Sequence, residues 1–238
     1  KTLNGQFIHY GGNGDSGTTG NVTTPFNNQI NKDLTIFVIF KIVNENTDRV
    51  EIVGNSGNTR RAFGLRYMPN TQRLEFHHGE QNTGDRIVEA HNISNATLSS
   101  AFNIIRCTSS GFGGNNFQEI YMNNVELIKT TYTSGDMTWQ ESQAQQKDLR
   151  VGNFMYMNKT YEMNYAEVMI FNQTLTSQEQ LNIYDYLNKK WNITPSTVNS
   201  NALTTLDQTY KDKMTVWLDA NDLILPFNYP NDTVNTLD

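Results

Sequence analysis

Short apolar runs separated by clusters of Gly, Asn, Asp, Ser and Thr recur along most of this chain, the pattern of short strands joined by turns. The series opens at residues 6–10, which lead into a Gly/Asn/Asp-rich turn at 11–20. Residues 34–43 (LTIFVIFKIV) are the strongest apolar run and predict a central strand. Further strands are predicted at 49–53, 62–67, 73–77, 86–90, 102–108 and 118–122. Asn123-Asn124 then makes a tight turn into 125–130, a hairpin signature. Strands at 149–154 and 165–171 complete the set, and regular short strands of this kind build a sandwich or barrel.

One segment follows a different period. Thr176-Ser177-Gln178-Glu179 fits a capping box, with Thr176 as N-cap and Glu179 reaching back. Leu181, Tyr184, Leu187 and Trp191 recur behind it at helical spacing, which predicts an amphipathic helix ending before Pro195. Its apolar stripe is expected at the edge or end of the sandwich. Residues 194–213 are polar and Pro-containing and read as a linker or surface excursion. A new strand is predicted at 214–220 (MTVWLDA). The chain therefore divides into a sandwich over 1–194, a linker over 195–213, and a last piece, 214–238. That piece is either the first strand of a following repeat or a strand completing the same sandwich.

Composition narrows the class. A chain of 238 residues with 37% hydrophobic and 18% charged residues is a folded globular protein that can bury a full core. A net charge of −6 argues against nucleic acid, which requires a basic face. No run of about 18 apolar residues is present to span a bilayer. Cys107 is the only cysteine, so no disulfide can form within the chain, and it reads as a small apolar residue in a strand. Asn occurs 32 times, as suits turns and left-handed positions. Seven Asn-x-Ser/Thr sequons follow, at Asn21, Asn92, Asn95, Asn158, Asn172, Asn192 and Asn231. They are glycosylation candidates for a chain that passes through a secretory route.

Several segments in order carry a family resemblance. Asn4-Gly5-Gln6-Phe7 with Gly12-Asn13-Gly14-Asp15-Ser16, then the run at 34–40, Phe63-Gly64-Leu65-Arg66 and Leu74-Glu75-Phe76 are similar to the early strands of concanavalin A-like, laminin-G-like domains. Residues 120–127 (IYMNNVEL) resemble their "LYVNGVLV" hairpin, and Leu149-Arg150-Val151-Gly152 their "LRIG" strand. The most specific segment, 165–193, resembles the strand, helix and "K-W" ending of this superfamily. The resemblance covers residues 4–194 and implies an all-β antiparallel jelly-roll β-sandwich with one C-terminal amphipathic helix. Residues 216–222 (VWLDAND) resemble a strand that usually precedes such a domain, which favours one unit of a tandem array.

Candidate chemistry is sparse. Related sandwiches that hydrolyse glycans place Glu-x-Asp-x-x-Glu on one strand, and no such triad occurs here. Paired carboxylates on a sheet face are accordingly not expected, and the chain reads as non-catalytic. Glu75, His77, His78 and Glu80 form the one His-rich cluster. Glu75 and His77 would share a strand face, which suits a hydrogen-bonded role better than a metal. Laminin-G-like domains often bind calcium at a rim, and Asn13 and Asp15, with Asp136, are the conceivable ligands by that resemblance; no other cofactor is implied. Exposed aromatics could form sugar platforms, with Trp139, Tyr156 and Tyr161 as the ligand-binding candidates and Tyr67 and Tyr132 as further loop aromatics. The aromatic and Met-rich run at 155–163 suits a protein contact.

The first expectation for function is a non-catalytic structural or assembly module of an extracellular, cell-surface or virion protein, with other subunits as partners. The alternative is a lectin-like glycan-binding module used for attachment.

Overall fold

The computed structural model describes residues 8–10, 21–22, 33–43, 49–54, 63–78, 86–110, 117–127, 129–133, 149–151, 163–193 and 206–219. In chain order the early strands are β1 (Ile8–Tyr10), β2 (Asn21–Val22), β3 (Leu34–Ile42), β4 (Val50–Gly54), β5 (Phe63–Met68), β6 (Arg73–His78) and β7 (Arg86–Ala90). A short helix, α1 (Asn95–Ser100), precedes β8 (Asn103–Ser109), β9 (Gln118–Met122), β10 (Val125–Glu126), β11 (Lys129–Thr133), β12 (Leu149–Val151) and β13 (Met163–Phe171). Helices α2 (Ser177–Trp191) and α3 (Gln208–Lys213) and strand β14 (Met214–Asp219) complete the described chain.

The strands form two antiparallel sheets, so the protein is an all-β sandwich. The first runs β1-β13-β3-β8-β9-β10, with β14 also paired to β13; the second runs β11-β7-β6-β5-β4-β12-β2. Alternate residues of both sheets meet in the middle: Ile36, Val38, Phe40, Ile105 and Val168 from the first, Ile52, Leu65, Phe76 and Val88 from the second. The Tyr165 hydroxyl crosses the gap to donate to the Ile52 carbonyl at 2.8 Å. Cys107 is buried in this core, where desolvation pushes its thiol up. The β9–β10 turn has Asn123 and Asn124 both left-handed, with φ of 51° and 65°, as a two-residue hairpin requires.

A second apolar layer covers the outer face of the first sheet. Phe37 and Ile39 of β3, Ile104 of β8 and Met169 and Phe171 of β13 point away from the sandwich interior. Against them pack Ile183, Tyr184, Leu187 and Trp191 of α2. The capping box is present: Thr176 Oγ1 accepts from the Glu179 amide, and Glu179 accepts from the Thr176 amide. Two details differ from the expectation set by periodicity. The helix lies across the sheet face rather than at its edge or end, because β3 is apolar on both sides. Leu181 is 37% exposed, and Ile183 and Gln180 take its place in the buried stripe.

Residues 206–213, read as part of a linker, also differ from their polar composition, while 214–219 form the expected strand. Leu206 and Tyr210 are buried in the second layer, and Lys213 pairs with Glu179 at the start of α2. The strand β14 pairs antiparallel with β13, Val168 opposite Leu218. Trp217 Nε1 donates to Glu167 Oε1 at 2.7 Å, and Trp191 Nε1 to Glu167 Oε2 at 2.6 Å.

Candidate functional site

Two polar surfaces stand out, one on each sheet. On the outer face of the second sheet, cross-strand register lines up Glu51, Arg66, Glu75 and Glu89 on four successive strands. Arg66 pairs with Glu51 at 3.4 Å; Arg73 Nη2 reaches Glu75 at 2.7 Å and its Nη1 reaches Glu89 at 3.2 Å. His77 Nε2 lies 3.1 Å from the second Glu75 oxygen. The glycine pair Gly54–Gly64 leaves room for Glu51: a Cβ on Gly54 would fall 2.3 Å from Glu51 Oε1. The middle of this ladder is buried, Glu51 wholly and Arg66, Glu75 and His77 nearly so.

Glu75 and Glu89 are directly opposed carboxylates, a pair that a search along single strands overlooks. Only the cross-strand register brings them together. Their environment decides what they can do. Burial pushes the Glu75 carboxyl up, but hydrogen bonding and Coulomb attraction from His77, with the charges of Arg73 and Arg49, outweigh it and hold the group at about 2. A carboxyl kept ionised in this way has no proton to deliver, whereas glycoside cleavage needs an acid held above its ordinary value. With one guanidinium clamped between both carboxylates, the ladder is built to hold the sheet face together.

The other surface is a groove of about 350 Å³ on the outer face of the first sheet, between β8–β9 and the first turn of α2. Register places Arg106 opposite Tyr121, and Thr108 opposite Glu119. The Arg106 guanidinium lies over the Tyr121 ring, 3.7 Å from its centroid. The Tyr121 hydroxyl donates to Glu126 at 3.4 Å, which steadies the ring. The opposite wall is the 174–180 segment. Thr174 Oγ1 donates to the Ser109 carbonyl at 3.2 Å, and Gln180 Nε2 to the Leu175 carbonyl at 2.7 Å. Phe117, 39% exposed, stands at the rim. Arg106 is only 8% exposed, and its Nε has no hydrogen-bond partner. Burial pulls its ionisation down from the ordinary arginine value, with Tyr121 and Glu119 opposing the shift. Nothing in the sequence singled out Arg106, since a lone Arg in a strand carries no motif.

The sequence candidates fall elsewhere. Trp139, Tyr156 and Tyr161, the calcium candidates Asn13, Asp15 and Asp136, and the sequons Asn158 and Asn231 lie outside the described residues, as does Glu80. Tyr67 is wholly buried, its hydroxyl donating to the Ile93 carbonyl at 2.8 Å, so it is a core residue and no sugar platform. His78 faces inward, 2.7 Å from Ser109 Oγ. Asn92 and Asn192 are exposed and left-handed, Asn95 opens α1, and Asn172 follows β13; Asn21 lies in β2. Among the described residues no group of three His, Cys, Asp or Glu side chains could hold a metal ion, and no helix is long and apolar enough to cross a membrane.

No protein-family model and no curated protein matches this sequence. Solved structures do. A receptor-binding domain aligns with a TM-score of 0.51 at 15% identity, over 75% of this chain and 42% of that one. The CBM40 domain of Ruminococcus gnavus IT-sialidase, bound to α2,3-sialyllactose, aligns at 0.46 and 16% identity, over 62% of this chain and 80% of that one. The binding domain of botulinum neurotoxin DC, in complex with SialylT, aligns at 0.48 and 14%, over 68% and 37%. This chain thus spans less than half of the receptor-binding and neurotoxin chains. At such identities the likeness is one of fold alone.

Proposed function

We propose that this chain is a non-catalytic, lectin-like binding module of the concanavalin A-like type, acting outside the cytoplasm, whose ligand is a glycan. The observation that carries the reading is the groove beside α2. It combines a buried guanidinium held over an aromatic ring with hydroxyl and amide side chains. Aromatic faces, hydroxyls and a few fixed polar groups are what sugar recognition uses, and the volume sits near the lower end of small-molecule sites, about 300–1,000 Å³. The clamped state of Glu75 and Glu89 supports binding without bond cleavage. A fold alone fixes no function, so the weight rests on the groove.

The assembly reading has less behind it. The run at 155–163 that suggested protein contacts lies outside the described residues but for its last, Met163, which is buried. The segment that suggested a tandem unit, Met214–Asp219, is paired to β13. The test is a glycan array probed with the full chain, with and without calcium. Binding on the order of millimolar to micromolar to a coherent set of glycans is expected. A blank array under both conditions, with self-association or capture of a protein subunit instead, would return the assembly reading to first place.

A further inference from the structure

We infer that the groove between β8–β9 and the first turn of α2 is a carboxylate site, and that its ligand is an acidic sugar anchored on Arg106. This rests on the glycan-binding reading above and specifies the chemistry of that same groove.

Arg106 is a buried cation with no ion pair among the described residues. The guanidinium lies over the Tyr121 ring and also hydrogen-bonds with Tyr121, but its Nε–H has no acceptor. A buried charge without a counter-ion is unfavourable, and arginine's planar fork matches a carboxylate. The groove is therefore lined by a guanidinium with a donor that the protein itself does not use. The first turn of α2, at Thr176 and Ser177, adds the positive end of a 15-residue helix to the same wall.

Glu119 sharpens the choice of ligand. It lines the groove and attracts Arg106 without forming a close ion pair. Its charge opposes a dianion such as a phosphate monoester. It can instead accept a hydrogen bond from a hydroxyl. A ligand with one carboxylate for Arg106, hydroxyls for Glu119, Thr174 and Ser177, and an apolar ring face for the exposed Phe117 satisfies all of these. That description is a sialic or uronic acid, and the two share the chemistry that matters here.

The test is an NMR titration of the full chain with free N-acetylneuraminic acid, glucuronic acid, the methyl ester of each, and galactose. Amide shifts are expected around 106, 119–121 and 174–180 with at least one acid. The matching ester should bind about tenfold more weakly or worse, since the charge-assisted contact is lost. Arg106→Gln should lose a similar factor with its melting curve still cooperative. If that variant does not fold, the acid-to-ester comparison decides alone. Groove shifts of equal strength with acid, ester and galactose would overturn the carboxylate anchor while keeping a glycan-binding module. Shifts elsewhere would overturn the site. A blank glycan array together with no shifts would remove both the module reading and this inference.

Discussion

Glu167 holds Trp217 and Trp191 on its two carboxylate oxygens, the first from β14 and the second from the end of α2. One acidic side chain on β13 therefore fastens both the last described strand and the covering helix to the first sheet. Lys190 balances its charge at 3.1 Å. Glu167→Ala leaves two indole N–H groups without acceptors and is expected to cost about 2–4 kcal/mol. Hydrogen exchange should show β14 opening before the rest. Uniform loss of protection across both sheets would contradict this local role.

Acid should weaken the charged ladder on the second sheet. Glu75 titrates at about 2 in the folded protein against an ordinary 4.5, so its ionised form stabilises the fold. That contribution is fully present above about pH 4.5–5 and is lost as pH falls towards 2. Its size is roughly 3 kcal/mol, the free energy that separates the two titration points. Urea melts at pH 7 and pH 3 should show about 2 kcal/mol of it, the rest being lost below pH 3, and Glu75→Gln should flatten the acid limb of the profile.

The glycine at position 54 is there for Glu51. A methyl group would meet Glu51 Oε1, and the Phe63 carbonyl and Gly64 Cα at 2.9 Å each. Two of those atoms are backbone and cannot step aside. Gly54→Ala should destabilise by about 2–4 kcal/mol. A melting temperature unchanged within error would show that the β4–β5 pair has more slack than its spacing indicates.

Thr176 closes the capping box at the groove wall. Thr176→Ala should cost about 1 kcal/mol of stability. Because Glu179 also holds Lys213, Asp207–Lys213 should loosen as well, detectable as faster proteolysis near α3.

Cys107 should resist thiol reagents in the native state. It is wholly buried and its thiol is pushed up by desolvation, so little thiolate forms. Labelling is expected only at the rate of global opening and should rise with urea in step with unfolding. Fast labelling in buffer would contradict a closed core at β8.

Much of the fold was readable along the chain because its strands are short, apolar and bounded by turn residues. The central run at 34–43, the Asn123-Asn124 hairpin and the Thr176–Glu179 cap all stand where local chemistry places them. What was not readable depends on register between distant strands. The second apolar layer needs Phe37, Met169 and Leu187 to be seen together. Leu206 and Tyr210 are two anchors in an otherwise polar stretch, too few for a period. The candidate site was hidden for the same reason: Arg106 meets Tyr121 only across a strand pair, and its second wall comes from residues more than sixty positions later. Glu75 and Glu89 are neighbours only once β6 and β7 align.

The pairing of β3 with β13 sets the order in which a ribosome can deliver this domain. Strand β3 lies between β8 and β13, so one side can zip up early, but its other side must wait until residue 163 has been made. Until then Phe37 and Ile39 have no helix over them, because α2 is later still. Such long-range closure makes for slow folding and an adhesive intermediate. Nascent chains stopped before β13 should therefore depend on chaperones, and the sandwich becomes self-sufficient only once β13 and α2 have both been made.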